Sequence, residues 1–77
     1  MDTGMLWRDD DQRRTLEEKI ERAVHYYKQK YGRTPNMCFV NQTALEDDLE
    51  MGKLLVKPAK NILPQHFWIG VRAPRVS

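Results

Sequence analysis

Thr15-Leu16-Glu17-Glu18, set at the head of a periodic apolar stretch, constrains this chain more than any other feature because it fixes where a helix must begin. In a capping box the threonine hydroxyl accepts from the backbone N–H three residues on, and the glutamate there accepts from the threonine's own N–H. Two of the orphan donors of a first turn are thereby satisfied. Leu16, Ile20, Ala23, Val24, Tyr27 and Tyr31 then recur at steps of three and four, which draws one stripe along a helix of 3.6 residues per turn. Glu17, Lys19, Glu21, Arg22, Lys28 and Lys30 form the wet side. Gly32 supplies the left-handed residue that closes a helix, and Pro35 prevents continuation. Acids early (Glu17, Glu18) and bases late (Lys28, Lys30) match the helix dipole, and Glu18 with Arg22 is ordered for an i,i+4 pair. A rod over residues 15–32 is about 25 Å long and too marginal to persist alone in water. It needs a surface to lie on.

How much surface is available follows from length. The 77 residues allow one domain, which buries roughly 60–65% of its unfolded area. With 40% apolar and 31% charged residues the composition is that of a globular chain, and a net charge of +2 does not by itself imply nucleic acid or an anionic membrane. A single cysteine, Cys38, excludes an internal disulfide, and with His25 and His66 alone beside it there is no zinc spacing. We therefore expect no metal, no cofactor and a reducing, cytoplasmic setting. No apolar run of about 18 residues is present, so no membrane span is expected. The N-terminus, with Asp2 and Asp9 to Asp11, lacks the basic start of a secretory signal.

Along the chain, residues 1–14 read as a flexible leader holding one apolar knot, Met5-Leu6-Trp7, which either folds back on the core or meets a partner. Residues 15–72 form a single αβ domain and residues 73–77 a tail. Met37-Cys38-Phe39-Val40 is a first strand; Asn41, Gln42 and Thr43 can cap a short helix over residues 44–50, stopped by Gly52. Residues 53–59 are a second strand whose far end Pro58 demotes to an edge or bulge. Residues 66–71 are the best strand, with Phe67, Ile69 and Val71 on one face and His66, Trp68 and Gly70 on the other. The expected fold class is α+β: one long N-terminal helix packed on a small three-stranded sheet, with a short second helix between strands one and two. Strands two and three should pair antiparallel, and strand one fits either orientation.

No catalytic residues are legible. Cys38 in an apolar run reads as a buried hydrophobe, and nothing brings His25 or His66 to an acid and a nucleophile. Glu46, Asp47, Asp48 and Glu50 serve solubility and lack the spacing of a calcium loop. What remains is the second face of the sheet. It is covered by the short helix through Leu45 and Leu49, or it receives a protein partner or a second copy of the chain, or it lines a ligand pocket. In the partner reading Trp68 is the anchor, with His66, Leu55 and Lys57 beside it. The alternative is a nucleic-acid accessory protein using Tyr26, Lys30, Arg33, Lys57 and Lys60, aromatic and basic groups of the kind single strands stack on. The bases have plainer roles, Lys53, Lys57 and Lys60 as guards of an edge strand and Lys28, Lys30 and Arg33 as a basic last turn matching the helix dipole. The sequence thus leads to a small binding domain acting through a protein partner or as a homodimer.

Overall fold

Helix α1 spans Leu16–Tyr31 in the computed structural model of the chain, which describes residues 3–72. Its start is the expected capping box: Thr15 Oγ1 accepts from Glu18 N at 3.2 Å, and Thr15 N donates to Glu18 Oε1 at 3.0 Å. Gly32 closes it at φ 68°, donating its N–H to the Lys28 carbonyl at 2.8 Å. The apolar stripe is buried as its spacing requires. Ile20, Ala23 and Tyr27 are fully covered, while Leu16, Val24 and Tyr31 pack at the margins of the core.

The sheet under the helix has five strands, which corrects the expected three. They are β1 (Thr3–Arg8), β2 (Met37–Asn41), β3 (Leu49–Met51), β4 (Leu54–Ala59) and β5 (His66–Val71), in the order β1-β5-β2-β4-β3. Only the β2–β4 pair is parallel; β1–β5, β2–β5 and β3–β4 are antiparallel. The predicted second and third strands, β4 and β5, do not pair, because the central strand β2 lies between them. Their connection must cross the end of β2, and Asn41 ties it there by donating from Nδ2 to the Ile62 carbonyl at 2.6 Å.

Two segments account for the extra strands. Thr3–Arg8, read from sequence as part of a leader, is β1, whose alternation sends Met5 and Trp7 under the helix and Gly4 and Leu6 to the other side. The expected helix over residues 44–50 does not form. Asn41 and Thr43 instead close a turn, with Thr43 N donating to Asn41 Oδ1 at 2.9 Å, and Leu49–Met51 pairs with β4. Leu49 and Met51 sit two apart with Glu50 between them, so a strand puts both apolar groups on the core side. The Gly52-Lys53 turn that follows, with Gly52 at φ 62°, is a two-residue hairpin connection of the kind that needs glycine first.

The main core cluster lies between the helix and one face of the sheet, while Met37, also buried, lies on the other face. Ile20, Ala23 and Tyr27 meet Cys38, Val40, Leu54, Val56, Phe67 and Ile69, with Met5, Trp7, Leu49 and Met51 at the periphery. A helix is about 10 Å wide, whereas five strands at about 4.8 Å spacing span about 19 Å. One helix therefore covers the middle of its face and leaves a groove on each flank. One flank groove, of about 460 Å³, is lined by Trp7, Arg14, Glu18, Arg22 and Tyr26; the other, of about 480 Å³, by Val24, Pro35, Met51 and Leu54.

Candidate interaction surface

The face of the sheet turned away from α1 carries a row of large apolar side chains. Register places Leu6 opposite Trp68, Trp68 opposite Phe39, and Phe39 opposite Lys57, so four neighbouring strands contribute to one line. The adjacent line is Gly4, Gly70, Met37, Leu55 and Glu50. Gly4 has a use here: a Cβ on it would clash with the Trp68 indole, so the absent side chain lets the ring pack directly against β1. The other side of Trp68 meets Phe39 with ring centroids 5.6 Å apart, and the Arg72 guanidinium stands 5.6 Å from the Phe39 centroid. Trp68 and Phe39 are thus half-buried by one another, while Leu6, at the end of the row, is 64% exposed.

No second helix covers this face among the described residues. Leu45 and Leu49, expected to roof it, pack with the core on the helix side instead. The four residues singled out for partner binding all lie on the open face. Trp68 and Leu55 are half-buried there; His66 lies in the neighbouring line, opposite Arg8, with Nδ1 2.9 Å from the Pro64 carbonyl; Lys57 is bridged to Asp48 at 3.6 Å. The five residues of the nucleic-acid alternative are not gathered. Tyr26 leans on Trp7 from the helix, with centroids 5.0 Å apart, and Lys30 stands 5.4 Å from the Tyr31 ring. Arg33 and Lys60 occupy separate turns, and Lys57 is on the opposite side of the sheet from Tyr26.

Compared with models of protein families, with curated proteins and with solved structures, the chain finds no match. No family or relative indicates an enzyme.

Burial pushes the Cys38 thiol up to about 12, which leaves it protonated and unreactive at neutral pH. No group of three or more His, Cys, Asp or Glu among the described residues could hold a metal ion, and none of their helices is long and apolar enough to cross a membrane. Two carboxylates are held below the ordinary range, Asp11 in the link between β1 and α1 and Glu18 in the first turn of α1. Asp11 is lowered by hydrogen bonds from the backbone and then the side chain of Arg13, and Glu18 by those of Thr15. Both carboxylates accept from backbone amides: Asp11 Oδ1 from Arg13 N at 3.0 Å and Glu18 Oε1 from Thr15 N at 3.0 Å; Asp9 Oδ1 likewise accepts from Asp11 N at 3.1 Å, so the acidic run is a turn that feeds the helix.

Sequence reasoning missed Leu6, Gly4, Phe39 and Arg72 as members of the surface. The first two were detectable in principle. Met5 and Trp7 alternate with Gly4 and Leu6, the period of a half-buried strand, but six residues with few β-branched members give that signal little contrast.

Proposed function

We propose that this chain is a protein-association domain that works by binding, and that its uncovered apolar row, which runs out to Leu6 on the outermost strand, meets a second copy of itself. The observation that carries the reading is the Leu6, Trp68, Phe39 row, three large apolar groups side by side on a face that no described element covers. Small monomers seldom expose contiguous apolar surface on this scale without using it, and aromatic side chains seated in such patches supply most of the energy of protein contacts. Charge supports the same reading. Arg8, Lys57 and Arg72 are interspersed with Asp10, Asp48 and Glu50 around the row, and two of these cations already pair with their neighbours at 3.2 and 3.6 Å. A rim of both signs suits a like surface better than a polyanion.

Sedimentation equilibrium at micromolar concentration is the test. The expected mass exceeds the 9.1 kDa of one chain and rises with concentration. A mass that stays at one chain across that range withdraws the reading.

A further inference from the structure

The sheet has two margins, and one of them is left uncovered by the described residues. At β3 the outermost strand is three residues long, and beyond it the outer side of β4 carries Lys57, paired with Asp48, and Pro58, which has no N–H to offer. Short strands, lysine and proline are the devices that keep a sheet from adding strands. At β1 the outermost strand is six residues, Thr-Gly-Met-Leu-Trp-Arg, with neither proline nor lysine, and it pairs with β5 along its whole length, which keeps it extended. Of the three large hydrophobic side chains most exposed among the described residues, two flank this strand, one on each side of the sheet: Leu6 at 64% and Tyr26 at 46%.

We infer that a second copy of the chain joins antiparallel along β1, with Leu6 at the two-fold axis, so that two five-stranded sheets become one. This rests on the reading of the chain as an association domain and adds where and in what register the copies meet. The register follows from the pleat. Opposed residues must point to the same side of the sheet, so Leu6 can face Leu6 of the second copy, or Met5 can face Met5, but Leu6 cannot face Met5. Centring on Leu6 places Met5 against Trp7 and Gly4 against Arg8, so the only charge on the strand never meets itself. It also joins the Phe39, Trp68, Leu6 row to its image without a break, which buries Leu6 between two neighbours of its own kind. On the helix side the flank groove beside β1 meets its own copy. Its wall of Trp7 and Tyr26 bears Arg14 and Arg22 with Glu18 and Glu21, equal numbers of each sign, which is what an isologous contact needs.

Leu6→Cys and Leu6→Lys, checked for an unchanged far-UV spectrum, test this directly, since an exposed position tolerates either. Cys38 is buried and does not compete for the oxidant. Under mild oxidation Leu6→Cys is expected to convert to a disulfide-linked species of twice the chain mass, while Lys53→Cys at the other margin stays monomeric on a denaturing gel. Leu6→Lys is expected to reduce the wild-type dimer to monomer at the same concentration. A wild type that is dimeric, with Leu6→Cys not linking or Leu6→Lys still dimeric, overturns the β1 contact while leaving association intact. A monomeric wild type overturns both.

Discussion

The two margins of the sheet differ in how they end, and the difference shows what each is built to do. The β3 side finishes in a tight hairpin, a three-residue strand, an ion pair and a proline that leaves β4 nothing to donate outward. The β1 side finishes in a full-length strand whose apolar side chains reach both surfaces of the sheet. Edge strands without such guards invite further pairing, so a chain that guards one edge closely and leaves the other open distinguishes between them physically. The glycines follow the same division. Gly52 serves backbone geometry at the closed margin, where nothing lies within 4 Å of its absent side chain, whereas Gly4 serves packing at the open one, beneath the Trp68 ring.

That contrast can be broken in graded steps. The largest effect is expected at Gly4→Ala, whose new Cβ displaces the Trp68 indole from β1. Overpacking of this kind costs about 2–3 kcal/mol. Urea unfolding should report the loss, and the tryptophan emission should shift to the red as the ring moves into water. Gly52→Ala should cost less, about 1 kcal/mol, because the penalty is confined to a left-handed backbone with open space around it. Its tryptophan spectrum should not move. If the two substitutions prove equal in both readouts, the margins are not built differently and the comparison fails.

Acid should act on the open margin through its connection to the helix. Asp11 and Glu18 have folded-state pKa values depressed by hydrogen bonds to their carboxylates, so their contribution is present above the ordinary value of about 4 and is lost as pH falls through the folded-state values. Stability should therefore decline on acidification below pH of about 4, and the doubly substituted Asp11→Asn, Glu18→Gln chain should show a flatter acid limb in thermal melts. An acid limb that is as steep in that variant would place the titrating groups elsewhere.

How much of this was legible from sequence varied with the kind of signal each segment carries. α1 was readable to the residue because everything that defines it is local: a cap three residues from its partner, a stripe at helical spacing, and a glycine at the stop. The strand His66–Val71 and the core of Met37–Asn41 were also within reach, being dense in β-branched and aromatic residues. Three failures share another cause. Thr3–Arg8 is a strand because β5 is there to pair with it, Leu49–Met51 because β4 is, and β4 and β5 are apart because β2 has taken the place between them. The acidic run of residues 46–48 suggested the first turn of a helix, but the local gain of a single short helix could not outweigh burying Leu49 and Met51 against the core. Of the partner residues, Trp68 and His66 were placed on one side by alternation within their strand, while Leu55, Lys57 and the neighbours Leu6, Phe39 and Arg72 are brought to that side by the pairing of other strands and the chain end beyond them.

By itself the sequence determined the helix, its buried stripe, the two sides of the His66–Val71 strand, and the burial of the lone cysteine. Each is settled by contacts within a few residues, or by burial that the apolar pattern announces. Only the tertiary structure decided how many strands there are, which are neighbours, and that both ends of the Leu6-to-Phe39 row rest on one uncovered side. Those outcomes depend on hydrogen bonds and packing between segments far apart in the chain, where a strand's partner, and not its own composition, makes it a strand.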